Sequence, residues 1–244
     1  MEHRMPARAY LLPAPTLWRM AAMLAVAALA ILWLGRCTDI DLALADAAFD
    51  TGAGAFRWRH AWLTEAFGHG ILKRSVTVLA LGVIGAALLD LARADPRRPA
   101  LGRLRLRIVA LSAVSVPAAV SALKQLSSSH CPWDLLRYGG DQPYLRLFEA
   151  LPAGVMPGQC LPAGHASSAL WLVSLAVYCL PAQPARAGRL AVLALVPGAL
   201  LGGFQQLRGA HFMTHTLWSA WIACAIVLAL VAMLQSRPGD RLPS

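Results

Sequence analysis

Charge is what this chain has least of, and acid above all. Only 12 of its 244 residues are Asp or Glu, and the four charged types together make up 14% against 58% hydrophobic residues. A soluble domain is about 25% charged because its surface meets water. The shortage excludes an ordinary soluble fold and leaves a helical bundle whose outer side chains rest against acyl chains. No internal repeat and no low-complexity linker divides the sequence, so residues 1–244 read as a single integral membrane domain. No His-Glu-x-x-His motif is present, which removes the usual sequence argument for a zinc centre. Only one apolar run carries a Pro-Gly interruption, Pro197-Gly198. With no matching break in the other half, the paired broken helices of a transporter are not indicated.

What is there is apolar length. Runs long enough to span, or nearly so, cover Leu17 to Gly35, Ser75 to Leu91, Ile108 to Leu123, Ala166 to Pro181, Leu190 to Phe204 and Thr216 to Leu234. The predicted fold class is all-α, a six-helix transmembrane bundle. The first run is too long for a cleaved signal segment and is followed by others, so it is expected to remain as a helix.

The net charge of +10 raises the question of nucleic acid, and the placement of the basic residues answers it. They form no single patch. With six spans both termini share a side, and 13 of the 22 basic residues fall there: Arg4, Arg8, Arg19, Arg93, Arg97, Arg98, Arg103, Arg105, Arg107, Arg186, Arg189, Arg237 and Arg241. The opposite side carries eight of the twelve acids and is close to neutral. The positive-inside rule makes the termini cytoplasmic, which predicts an inner-membrane, multi-pass protein with its polar loops in the periplasm. The expected partners are the bilayer and a membrane lipid, with no nucleic acid.

Three segments then face outward: residues 36–74, residues 124–165 and a short turn at 205–215. In the first, Ile40, Leu42, Leu44, Ala48 and Phe49 alternate with Asp39, Asp41, Asp46 and Asp50, as in a piece lying along the interface. Six of the seven histidines, His60, His69, His130, His165, His211 and His215, lie in these segments or at adjoining helix ends. A titratable group is costly in lipid, so this gathering points either to a shared polar cavity or, for His60 and His69, to interfacial anchoring. The stretch Tyr138-Gly139-Gly140-Asp141-Gln142-Pro143-Tyr144 reads as a lid or as an ordinary interfacial loop.

Three short motifs stand out: Lys124 with Cys131-Pro132-Trp133-Asp134, then Pro162-Ala163-Gly164-His165, then Arg208-Gly209-Ala210-His211-Phe212-Met213-Thr214-His215. Their order and spacing resemble the three-part signature of the type 2 phosphatidic acid phosphatase (PAP2) superfamily, which includes the vanadium haloperoxidases. The resemblance runs from Lys124 to Trp218 and makes 124–215 the expected catalytic region. It is incomplete. Cys131 stands where the family has arginine, Ala163 replaces serine, Gln205 replaces a second arginine and His215 replaces aspartate.

The resemblance implies that His211 attacks phosphorus to form a phosphohistidine, while His165 protonates the leaving oxygen and later activates water. A covalent intermediate divides one high barrier into two lower ones, and neutral imidazole is a good nucleophile near pH 7. Phosphate charge would be met by Lys124, by Arg208 or Arg137 in place of the missing arginines, and by backbone amides near Gly164. His215 or Asp134 would orient His211. Cys131 and Cys160 would approach each other in such a site, which implies a disulfide in an oxidising periplasm. The pair His211 and His215, four apart on a helix, also admits a metal reading or merely the lining of a wet cavity. The family implies no cofactor, and no metal is expected.

The functional expectation is a phosphatase releasing phosphate from a lipid mono- or diphosphate. Transfer to a second lipid is a close variant. A catalytically inactive protein that binds or transports a lipid phosphate is the reading from another class.

Overall fold

Where no water is available, a backbone must satisfy its own polar groups, and long windows of Ala, Leu and Val therefore become helices. The computed structural model describes residues 10–93 and 99–235. Arg4, Arg8, Arg97, Arg98, Arg237 and Arg241, used in the charge argument, lie outside the described residues, as does the side chain of His69. The chain is all-α apart from one small hairpin. Its helices are α1 (Ala14–Cys37), α2 (Ile40–Ala48), α3 (Lys73–Arg93), α4 (Ala100–Gln125), α5 (Gly164–Leu170), α6 (Pro184–Leu207) and α7 (Met213–Leu234). A π-helical stretch, Leu63–Leu72, runs straight into α3, and a 3₁₀ segment, Trp171–Cys179, extends α5. Strands β1 (Phe49–Asp50) and β2 (Ala55–Phe56) pair antiparallel.

Among the described residues, five helical spans are long and apolar enough to cross a membrane: α1, the continuous Leu63–Arg93 helix, α4, α6 and α7. Their outward residues are large and apolar, as in Trp18, Met23, Val26 and Trp33 of α1 and Leu79, Leu81 and Leu88 of α3. The fourth expected span differs. It runs from Gly164 to Cys179 and tightens after about two turns of α-helix. Seven residues at 1.5 Å and nine at about 2.0 Å give about 28 Å, close to the hydrocarbon thickness of about 30 Å. Drawing the helix out gives 16 apolar residues nearly the reach of twenty.

The fifth expected span is longer than its apolar run and is unbroken at Pro197 and Gly198. Gly198 is there for contact: a Cβ would lie 2.4 Å from Leu170 of α5. One turn on, a Cβ at Gly202 would lie 2.3 Å from Thr216 of α7. This small-x-x-x-small face lets α6 press against both helices that carry histidines. At the far end, Gln235 accepts from the amides of Leu11 (3.1 Å) and Leu12 (3.0 Å) and donates to the Leu12 carbonyl (2.9 Å). The start of α1 and the end of α7 thus meet on one face of the bundle.

The 36–74 segment is more structured than the interfacial ribbon expected from its sequence. Phe56 and Tyr138 pack with Ala45, Leu135 and Phe212 in a small second core. Tyr138 also donates to Asp46 (2.8 Å), so the 138–144 stretch begins at a fixed anchor.

Candidate functional site

Three loops meet at this end of the bundle, and backbone bonds lock them together. The amides of Gly158, Gln159 and Cys160 donate to the carbonyls of Ser128 (3.2 Å), Ser127 (3.0 Å) and Ser129 (2.9 Å). Gly158 is required for this close approach, since a Cβ would lie 2.5 Å from His130 Cα. The Ala163 amide donates to the His215 carbonyl (3.1 Å), and the Ser219 hydroxyl lies 3.0 Å from the carbonyls of both Ala163 and His215. The entrance of α5 is thereby tied to the first turn of α7. Cys131 and Cys160 form a disulfide with Cα atoms 5.3 Å apart. Before α7 the chain turns at Gly209, whose φ of +75° suits glycine and whose Cβ position is filled by the Phe56 ring 2.3 Å away.

The N-terminus of α7 has no side-chain cap of its own, because Phe212 stands at the capping position. Asp41 of α2 supplies one from outside: its buried carboxylate accepts from the Thr214 amide (3.0 Å) and from the Thr214 hydroxyl. Burial pushes the Asp41 carboxyl above the usual carboxylate range, while the hydrogen bonds from Thr214 and Met213 oppose that rise.

These ties place the rings of His165 and His211 with centroids 6.3 Å apart, and those of His211 and His215 5.8 Å apart. His211 Nδ1 lies 3.4 Å from Cys160 Sγ. A disulfide sulfur has no proton to give, so in this contact Nδ1 is the donor and the lone pair of the neutral ring sits on Nε2. Burial holds His211 well below the ordinary histidine range. The neighbouring His215, Lys124 and His165 push the same way, and a hydrogen bond to the Cys160 backbone opposes them. His211 is therefore neutral at pH 7.

His165 and Lys124 face a cleft of about 840 Å³ between α3, α4 and α5, with Lys73, Gln125, Gln159 and Gly164 also on its walls. His211 is not among its lining residues and is 3% exposed, its ring next to that of His165. His215 faces another way, into a cavity of about 10 Å³ shared with Asp41, His130 and Tyr144.

Two expected cations are placed elsewhere, a correction to the sequence reading. Arg137 is exposed and makes a bidentate pair with Asp46 (2.8 and 2.7 Å), because α2 brings a carboxylate to it first. Asp46 is held below its usual range by that guanidinium. Arg208 shares a helix end with Gln205 as expected, yet its Nε donates to the Arg59 carbonyl (2.9 Å) and its Nη2 lies 3.6 Å from Glu65. Asp134, expected to orient a histidine, instead accepts from the Cys131 amide (3.3 Å) within its own turn. Gly164 opens α5 with free space beside it. Lys73 and Asp41 were not singled out in the sequence. Lys73 had a signal, a lysine at the end of a span as Lys124 is, whereas Asp41 was hidden among four similar acids.

Long apolar helices around a polar, histidine-bearing cleft near one end define an integral membrane protein with an interfacial site. The family model of the PAP2 superfamily matches residues 105–238, more than half of the chain, and the protein belongs to that superfamily. The superfamily generally comprises phosphoric ester hydrolases, which makes this a membrane protein of phosphatase type. No curated protein and no solved structure matches the chain significantly.

Proposed function

We propose that the protein is a lipid phosphate phosphatase working through a phosphohistidine on His211, at the outer face of the inner membrane. The observation that carries this reading is the 6.3 Å between the rings of His165 and His211, beside a cleft lined by Lys124. In an in-line displacement the attacking atom approaches phosphorus from about 3–3.5 Å, opposite the leaving oxygen, which is still bonded to phosphorus and has the proton donor on its far side. Two imidazoles at this spacing bracket one phosphoryl group. His211 Nε2 gives its lone pair to phosphorus, the bond to the lipid oxygen breaks, and His165 donates the proton that oxygen needs. Water then attacks the phosphohistidine, with His165 taking its proton and His211 leaving as neutral imidazole. Lys124 and the open backbone at Gly164 meet the charge on the equatorial oxygens. His215 and the Cys131–Cys160 disulfide hold the His211 ring from its other side. A lipid acceptor in place of water would make the same site a phosphotransferase.

The headgroup enters while the tail stays in the bilayer, which suits a cleft lying between spans. The outward orientation follows from the arginine-rich opposite side. The test is phosphate release by the purified protein in detergent from a panel of lipid phosphates. His165→Ala and His211→Ala are each expected to lose at least about 100-fold, with a histidine-bound phosphate label formed by the parent and not by His211→Ala. Full activity in both variants would refute the mechanism.

One observation favours a second reading, a lipid phosphate binder without turnover: His211 is buried and does not line the cleft, and no arginine lines it. Saturable binding by a parent that releases no phosphate from any of the panel would decide for it.

A further inference from the structure

We propose that Lys73 is the second anion-binding residue of the cleft and that it selects lipids whose head carries two adjacent phosphates over those with one; this deepens the phosphatase reading and rests on it. With Arg137 and Arg208 committed to Asp46, Arg59 and Glu65, the cleft draws its fixed positive charge from two lysines, Lys73 of α3 and Lys124 of α4. No carboxylate lines it, and among the described residues neither lysine has an ion-pair partner. An anion that lies between two ammonium groups sharing one cavity is attracted by both.

The cleft is graded along its depth. Helices α3 and α4 pack against each other, and Lys73 at the start of one and Lys124 near the end of the other open on the same cleft. Eleven residues further into the membrane on each helix come Ile84 and Ala113, about 16 Å away at 1.5 Å per residue. Between these levels the wall turns apolar, through Leu81, Val114 and Pro117. A cavity with a cationic mouth and an apolar floor reaching about half the hydrocarbon thickness fits an anionic amphiphile. The monoester dianion is already matched by Lys124 and the proton-donating His165. Lys73 matches the further negative charge that a diphosphate carries and a monophosphate does not.

The experiment compares geranylgeranyl diphosphate with geranylgeranyl monophosphate, which share one tail, as substrates of the parent and of Lys73→Met and Lys73→Arg. The parent is expected to prefer the diphosphate. Lys73→Met is expected to cut the ratio of the two kcat/KM values by about tenfold, mainly through KM for the diphosphate, and Lys73→Arg to keep most of it. An unchanged ratio in Lys73→Met, or equal losses on both lipids, overturns the proposal. Binding of the same two lipids to the protein in nanodiscs separates this result from the parent reading. If the parent releases no phosphate but its preference for binding the diphosphate falls in Lys73→Met, the phosphatase reading fails and the role of Lys73 stands. If His211→Ala is inactive while Lys73→Met keeps the parent's preference, the reverse holds. Lys73→Gln serves as the charge-removing variant where Lys73→Met does not fold.

Discussion

Removing the Cys131–Cys160 disulfide tests how the surroundings of His211 are held, and the length of the loop it closes gives the size of the effect. The bond joins residues 29 apart in sequence and closes one loop between spans. The chain-entropy relation for a loop of that length gives about 3.6 kcal/mol at 25 °C. Detergent-unfolded membrane proteins keep much of their helix, which would shrink most such estimates. This one is less affected, because the closed loop is extramembrane and gains its freedom whether or not the helices persist. At roughly 2–4 °C per kcal/mol for a chain of this size, the expected fall in Tm is roughly 7–14 °C. The assay is thermal unfolding in detergent of the parent, Cys131→Ser, Cys160→Ser and the double variant. Because all three variants delete one bond, the double is expected to fall no further than the singles. A loss below about 2 °C, or additive losses in the double, would refute the reasoning that the loop closure stabilises this end of the molecule.

Three further outcomes follow from the geometry. Asp41→Ala strips α7 of its borrowed cap and strands the Thr214 amide and hydroxyl, an expected loss of about 1–3 kcal/mol measured by thermal unfolding, with Asp41→Asn milder. Gly202→Ala forces a Cβ into Thr216, an overpacking cost of about 1–3 kcal/mol, and is expected to lower phosphate release together with Tm. His211 has a folded pKa below its unfolded value of about 6.5, so the unfolded state binds more protons under acid conditions. Stability is therefore expected to fall as pH drops below about 6.5, and the acid limb of kcat/KM attributable to the nucleophile is expected to lie under that value. An acid limb at or above it would contradict a neutral, buried His211.

Much of the fold was legible because lipid leaves little choice. Runs such as Thr216 to Leu234 satisfy their own backbone in one way only, and the helix α7 covers that run almost to the residue. The Gly164–Cys179 segment was readable as apolar but not as a drawn-out helix, since its 3₁₀ part is set by packing against α6. The meeting of His165 and His211 followed from two helix entrances sharing a face. The arginine assignments failed for a different reason. Helical spacing could place Arg208 near Gln205, but the carbonyl of Arg59 and the carboxylates of Glu65 and Asp46 come from segments distant in sequence. Charges are claimed by whatever opposite charge arrives, and only the folded chain says which. Asp41 shows the same in reverse: an acid in an amphipathic pattern reads as solvated until a helix terminus is brought against it.

Helix α6 contributes no titratable side chain to the cleft, yet it sets the gauge on which the chemistry depends. Gly198 rests on α5 and Gly202 on α7, one turn apart. They let α6 lie close against both α5, which carries His165, and α7, which follows directly on His211. A methyl group added at either point would push α6 off one of its neighbours, so residues with no side chain at all help to set where the rings of His165 and His211 stand.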